Sequence, residues 1–350
     1  MTSHKATAAP LVAAVVLNWN GLDDSVECVQ SLLAQTYVPL EIHIVDNASA
    51  AAEADRLAVF FGDQIVLHRN AENLGFAGGC NVALRRILAD GRAEFAVLLN
   101  NDAVAEPGWI AALVAAASAD PSLGSCAGLM VHYDAPGRVE NAGVTLLTTG
   151  DAVPRGRGRA AAQFGAAGDV LAACAGGALY RVDMLRRIGL FREDYFANFE
   201  DVDLGLRAFV CGYGCGFVPA AVVRHRLSRS IAKVRDDAFH VRSLRNLACA
   251  YWTNAPWPSL LLALPFFLLR DAAVFAVLPL LGQGRVARLL WRARRRVWAE
   301  RRDLRAARRD LRPLRRCSWW RFSLWQRPAT PIYCRFLYEA VVRRRRSFLQ

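Results

Sequence analysis

Apolar residues come in short unbroken runs along the first hundred positions, and each run ends in a cluster of amides and carboxylates. "LVAAVVL" (11–17), "EIHIVD" (41–46), "QIVLH" (64–68) and "FAVLLN" (95–100) have the length and continuity of buried strands. Between them, 22–34, 50–61 and 77–89 carry apolar positions at helical spacing. Strands alternating with helices predict an α/β fold, Rossmann-like in outline, whose mostly parallel sheet is covered on both faces. Such sheets bind ligands beyond the carboxyl ends of their strands.

The polar clusters fall at those ends: "NWNG" (18–21), "DNAS" (46–49), "RNAENLGFAGGCN" (69–81) and "NNDA" (100–103). One such cluster is an ordinary helix cap, whereas four on one rim predict a polar site for a phosphate-bearing ligand. "GFAGG" (75–79) can bring backbone amides to an anion, but it lacks the G-x-G-x-x-G spacing of a dinucleotide fold, which argues against a dehydrogenase.

Residues 150–169, rich in Gly, Ala and Arg without a clear period, read as a flexible loop near the site. In "VLAACAGGALYR" (170–181), Gly176 and Gly177 permit close backbone approach. "NFEDVDLGLR" then places Glu200, Asp201 and Asp203 at the start of a helix. The helix dipole alone favours acids there. The alternative is a general base, with crowding that raises at least one carboxyl towards the useful range. His225 ends the strand that begins "FVPAAVV"; a lone His there is more often structural, unless it meets Asp102 in space.

Composition adds a second region. The 350 residues are 54% hydrophobic, enough for a sizeable core, and carry a formal charge of +13. Fourteen arginines between Arg285 and Arg316, against Glu300, Asp303 and Asp310, account for +11 of it. A basic run of this kind suits an anionic membrane surface, and no nucleic-acid-binding motif accompanies it. "APWPSLLLALPFFLL" (255–269) and "AAVFAVLPLL" (272–281) are apolar but split by Arg270 and Asp271. Each such charge costs roughly 2.5 to 3.5 kcal/mol at a bilayer centre, so two interfacial or re-entrant segments are expected, broken or kinked at Pro265 and Pro279. Val286, Leu290, Ala293, Val297, Leu304, Ala307, Leu311 and Leu314 form an apolar stripe among the arginines, suited to headgroups or to packing on the catalytic domain or a second subunit. "WWRF" (319–322) and "RRRR" (343–346) add aromatic and basic anchors. Nine scattered cysteines suit a reducing cytosol; "CGYGC" (211–215) has no second pair at zinc-site spacing, so its thiols read as buried and free. The N-terminal apolar stretch runs into a strand-and-turn pattern and does not read as a signal peptide.

"VVLNWNG", "IVDNAS", "NAENLGFAGGCNVAL", "LLNNDA", "CAGGALYR", "NFEDVDLGLR" and "VVRHRLSRS" occur in this order over residues 11–250. Together they resemble family 2 inverting glycosyltransferases of the GT-A fold, especially the rhamnosyltransferase-like branch. The resemblance implies that Asp46 contacts the nucleobase of a nucleotide-sugar donor and that Asn73 and Gly75 lie along the nucleotide. Asn18 and Asn20, in the first rim cluster, join the donor-binding set. Asn100 and Asp102 match the family's Asp-X-Asp motif, so Asp102 would bind Mg²⁺ or Mn²⁺ and Asn100 the ribose or phosphate side. His225 matches a metal-ligand position of some relatives. Asp201 matches the catalytic base, with Glu200 and Asp203 shaping its site, and Gly176, Gly177 and Asp203 lie on the acceptor side. "RN" at 245–246 fits a pattern that follows the catalytic domain. Two departures stand out: "FRE" (191–193) replaces the family's "FDE", and Asn100 replaces a carboxylate.

These readings divide the chain into a flexible lead (1–10), a GT-A catalytic domain (11–253) and a helical membrane-associated region (254–350). The expected activity is metal-dependent inverting transfer of a sugar, with dTDP-rhamnose the first donor considered. Its acceptor would be a lipid-linked or polysaccharide glycan of the cell envelope, on the cytoplasmic face of a bacterial inner membrane or in the cytoplasm. A second copy of the chain is a further candidate partner. The rival readings are a sugar-1-phosphate nucleotidyltransferase, whose Gly-rich basic N-terminal signature is absent from the sequence, and a non-catalytic basic adaptor for membrane or nucleic acid.

Overall fold

The computed structural model describes residues 9–226 and 236–329. The first eight residues, "LSRS" (227–230) and "RRRR" (343–346) lie outside that range.

The expected alternation is present. Strand β1 (Val12–Asn18), helix α1 (Leu22–Leu33), β2 (Leu40–Asp46), α2 (Glu53–Phe61), β3 (Val66–Arg69), α3 (Gly75–Asp90) and β4 (Phe95–Asn100) follow one another. β4, β1, β2 and β3 lie side by side, all parallel. After them come β5 (Ala103–Ala105), α4 (Trp109–Ala119), β6 (Leu123–His132), β7 (Ala135–Asn141), β8 (Val144–Leu146), β9 (Ala152–Pro154), β10 (Gly168–Val170), β11 (Gly177–Arg181), α5 (Val182–Ile188), α6 (Glu200–Val210) and β12 (Gly214–His225). β11 runs antiparallel between β4 and β6, and β12 is parallel to β6, so the far half of the sheet is mixed. The strands of β1 and β4 are apolar throughout because both faces are covered: one core holds Val12, Val16, Leu99 and Trp109, the other Val15, Leu98, Leu84 and Tyr180.

Residues 150–169 are not the open loop that their composition suggests. They form β9, a 3-10 turn at Ala161–Phe164 and the start of β10. Phe164 is buried beneath the guanidinium groups of Arg155 and Arg159, and Arg155 also covers Phe217. The arginines that made the stretch look like loop are what fasten it.

The C-terminal helices are α7 (Asp237–Asn254), α8 (Trp257–Leu280), α9 (Gly284–Ala299), α10 (Arg301–Leu311) and α11 (Trp319–Leu324). The expected break at Arg270 and Asp271 is absent, and α8 passes through Pro265 unbroken. Arg270 pairs with Asp151 at 2.8 Å and with Asp271, and Asp271 pairs with Arg294 at 2.8 Å, so neither charge is left bare. α8 is long and apolar enough by composition to cross a membrane, and only a narrow stripe through Ser259, Leu260, Ala263, Phe267 and Leu278 is buried. The apolar stripe of α9 and α10 faces the protein: Leu290, Ala293, Leu304 and Leu311 are buried, the last two in the core they share with the catalytic strands. Arg308 and Arg315 reach carbonyls at the end of α7, including Ala255 at 2.8 Å and Thr253 at 3.1 Å, so part of the basic run caps a helix.

Candidate active site

The strand register brings the polar clusters onto one rim. Asn18 stands beside Asp46, and Leu17 beside Asn100. Asn18 Nδ2 donates to Asp46 Oδ1 at 2.9 Å and to Glu53 Oε2 at 2.9 Å, while its Oδ1 accepts from Ser25 Oγ at 2.7 Å. Asn18 is therefore wholly buried and organises the rim, holding Asp46 from behind. Asn20 clasps the next loop: its N–H donates to Ser49 Oγ and its Oδ1 accepts from Ala50 N.

Asn73 accepts from Gly75 N at 2.8 Å and from Asn47 Nδ2 at 2.8 Å, which opens α3. Gly75 has φ +70°, and a Cβ there would lie 2.4 Å from the Phe196 carbonyl oxygen. Only glycine fits, and the loop before α3 thereby touches the loop before α6, where Ala77 N donates to Phe196 O at 3.1 Å.

Asp102 and His225 are far apart in sequence and meet in space. His225 Nε2 lies 2.9 Å from Asp102 Oδ1 and 3.2 Å from Asn100 Nδ2. The other ring nitrogen, Nδ1, lies 2.7 Å from Glu140 Oε2. Glu140, on β7, was not foreseen; the alternation of "GRVEN" reads as a solvated edge strand, and only the fold turns its side chain inward. Burial works against a protonated His225, but the hydrogen bonds and charges of Asp102 and Glu140 outweigh it and push the ring up to about 10.

This arrangement fits a divalent ion. Two donors in neighbouring octahedral positions at ~2.1 Å from an ion stand ~3.0 Å apart, close to the observed 2.9 Å between Asp102 Oδ1 and His225 Nε2. Glu140 holds Nδ1 as outer carboxylates do behind metal-bound imidazoles, leaving Nε2 for the ion. No group of three or more His, Cys, Asp or Glu able to hold a metal occurs among the described residues, so Asp102 and His225 would leave coordination positions for water or substrate oxygens.

The three acids at the start of α6 have separate fates. Glu200 is buried and its Oε2 lacks a hydrogen-bond partner among the described residues; burial, then the Asp201 charge, drive its carboxyl up. Asp203 does not face an acceptor as expected. It is fully buried, accepts from Arg207 Nε at 2.8 Å and from Asn254 Nδ2 at 2.9 Å, and ties α6 to α7. Asp201 alone remains partly exposed. Burial raises its carboxyl, while the amides of Ala175 (3.2 Å) and Val202 (2.7 Å) and the Cys174 thiol pull it down. Burial thus raises both neighbouring carboxyls, and Asp201 is the one held by backbone amides.

The turn 174–177 links Asp201 to the rim. Ala175 N holds Asp201, and the next carbonyl, Gly176 O, accepts from Asn100 N at 3.0 Å. A Cβ at Gly176 would stand 2.9 Å from Asn100 Nδ2, which is why the backbone is bare there. Gly177 begins β11 beside Leu99. Cys174 is a further contact that the motifs do not indicate; Asn246 Nδ2 donates to the carbonyls of Tyr195, Ala197 and Asn198, fixing a loop in which Phe196, Asn198 and Phe199 have positive φ. The "RN" pair had signalled this position without its reason.

The model of the glycosyl transferase family 2 matches residues 14–189, half of the chain. A glucosyl-dolichyl phosphate glucuronosyltransferase of Haloferax volcanii is 36% identical over 107 residues, 30% of this chain and 33% of that protein. An uncharacterized glycosyltransferase of Rickettsia felis is 32% identical over 102 residues, 29% of this chain and 16% of that one. The chain thus spans a third or less of the length of these relatives. Among solved structures, GalNAc-T7 with UDP, GalNAc and Mn²⁺ has a TM-score of 0.56 at 15% identity, covering 70% of this chain and 48% of that one. S. aureus TarS 1-349 with UDP has a TM-score of 0.50 at 16% identity, covering 77% and 73%. At that identity the likeness is one of fold, the GT-A fold. Taken with the family match across the rim and the turn behind it, the chain belongs to glycosyl transferase family 2.

Proposed function

We propose that the chain performs metal-dependent inverting transfer of a sugar from a nucleotide-sugar donor to a lipid-linked or polysaccharide acceptor of the cell envelope. The observation that carries this reading is the 174–177 turn, which fastens Asp201 to the same strand end that presents Asn100 and Asp102. A carboxylate on one side of the reacting carbon and a donor site on the other is what in-line displacement requires. Asp201 takes the proton of the acceptor hydroxyl as that oxygen attacks the anomeric carbon from the face opposite the leaving diphosphate, and one displacement inverts configuration. Asp46 and the Asn73–Gly75 loop orient the nucleotide, and Asp102 and His225, with Asn100 beside them, hold the ion. A divalent cation, when bound, supplies positive charge for the departing diphosphate. The Mn²⁺ and UDP of the GalNAc-T7 structure, and the lipid phosphate in the name of the Haloferax relative, support this reading. No observation favours the nucleotidyltransferase or the adaptor. Thermal-shift screening of nucleotide sugars with Mn²⁺ tests it: the true donor raises Tm most, dTDP-rhamnose being the first to try, and absence of a shift with every donor overturns it.

Glu140→Gln should weaken Mn²⁺ binding in the presence of the nucleotide by ~10- to 100-fold, the usual effect of losing an outer carboxylate behind a metal-bound imidazole. Electron paramagnetic resonance of free Mn²⁺ reads this directly, and an unchanged affinity would remove Glu140 from the ion's surroundings.

The proposed location is peripheral, on the cytoplasmic face of the membrane. Leu261, Leu262, Leu268, Leu269 and Leu280 of α8 face outward, as do Trp291, Trp298, Arg288, Arg292 and Arg295 of α9. The Arg270 pairing with Asp151 holds the middle of α8 against the catalytic fold, which favours a helix lying in the interface over one crossing it. Floated with vesicles, the chain should rise with phosphatidylglycerol-rich ones and stay down with phosphatidylcholine alone; equal behaviour counts against the anionic surface.

A further inference from the structure

Away from the rim, a cavity of about 410 Å³ opens between the Arg192–Phe196 stretch, α7 and the junction of α9 and α10. Its lining is almost entirely charged, with Arg192, Arg242, Arg245, Arg296, Asp194 and Glu300 around it. Two of the acids are already engaged. Asp194 accepts from Arg192 Nε and Nη2, each at 3.0 Å, and from Arg245 Nη2 at 2.6 Å. Glu300 accepts from Arg245 Nε at 2.7 Å. Asp303, the third acid of the lining, is exposed, where water screens its charge.

Cationic groups are left over. Arg242 forms no ion pair among the described residues; its guanidinium rests 4.5 Å over the ring of Phe196. The exposed Arg296 guanidinium likewise has no ion pair or hydrogen bond among them. Two such guanidinium groups around one cavity suit an anion with several oxygens.

The two walls of the cavity have different business. One is the loop whose carbonyls Asn246 fixes, running through Phe196 directly into Glu200 and Asp201. The other comes from helices whose outer faces carry Trp291, Trp298 and bare arginines. A ligand between them touches, on one side, the stretch that leads along the chain to Asp201 and, on the other, helices whose outer faces are proposed to meet lipid. We propose that this cavity binds the phosphate of the acceptor, a lipid-borne phosphate ester, with Arg242 and Arg296 as donors. The proposal rests on the reading of the chain as a transferase acting on a lipid-linked acceptor. Anchoring the phosphate there would hold the acceptor so that its hydroxyl, and not water, meets Asp201.

The test uses the full chain in detergent micelles and three probes: a polyprenyl phosphate, the polyprenol of equal length, and inorganic phosphate. Binding is read by tryptophan fluorescence in the wild type and in an Arg242→Gln/Arg296→Gln double variant, with melting curves confirming that the variant folds. The wild type should bind the phosphate at least tenfold more tightly than the alcohol, and the variant should lose that preference. Inorganic phosphate should compete, more weakly than the lipid. Equal binding of phosphate and alcohol, or a variant that keeps the preference, overturns the proposal; so does a site that takes inorganic phosphate and ignores the lipid. Nucleotide-sugar stabilisation of the wild type is measured alongside, because its absence would fault the transferase reading itself and not the cavity. If the double variant does not fold, Arg242→Lys serves instead: it keeps the charge but loses the flat fork, and should retain only part of the preference.

Discussion

Asp201→Asn lowers kcat for sugar transfer by ~10²- to 10⁴-fold while leaving nucleotide-sugar binding near the wild-type level, because the amide keeps the shape of the carboxylate and cannot take a proton. The amides of Ala175 and Val202 remain to hold it, so the loss is chemical and not architectural. The pH profile carries the same information. Burial raises the Asp201 carboxyl above its ordinary value despite its hydrogen bonds, and the neighbouring Glu200 is raised as well. A base works only when ionised, so kcat/KM falls as pH drops through that raised value, and the acid limb lies higher than a free aspartate would put it. Steady-state kinetics on both forms decide the matter: a variant with wild-type kcat would remove Asp201 from the role of base.

The first strands were legible because a strand covered on both faces must be apolar throughout, and the rim was legible because such strands have to end in polar groups somewhere. What the spacing alone did not resolve is the division of labour in "EDVD". Two residues apart on a helix turns a side chain by ~200°, so Asp201 and Asp203 could not both look into one site. Composition could not say which was turned inward; the answer lies in Arg207 and Asn254, one turn and one helix away. Glu140 was hidden for a related reason: its contact with His225 spans 85 positions and belongs to no motif. Arg270 and Asp271 were read as a break because an apolar environment without partners would reject them, and the partners, Asp151 and Arg294, lie in elements that hydropathy does not connect.

Asp102→Ala removes donor-dependent Mn²⁺ binding and sugar transfer together, with a loss in ion affinity greater than the ~10- to 100-fold expected for an outer-shell carboxylate such as Glu140. Among the described residues two donors, Asp102 Oδ1 and His225 Nε2, stand together where they would hold an ion, so loss of either removes half of that set. For the same reason the wild type should bind Mn²⁺ weakly alone and tightly once a nucleoside diphosphate contributes phosphate oxygens. Proton linkage sharpens the expectation. His225 is pushed up to about 10 in the metal-free chain, so Nε2 gives up a proton when an ion binds, and Mn²⁺ affinity rises with pH towards that value. The sign for stability is opposite: the ring's pairing with Asp102 and Glu140 stabilises the metal-free fold fully below the ~6.5 of a free imidazole and is lost as pH rises through about 10. Calorimetric titration of Mn²⁺ at pH 6.5 and 8.5, with and without UDP or dTDP, separates these effects. Tight binding without nucleotide, or binding that Asp102→Ala leaves intact, would place the ion elsewhere.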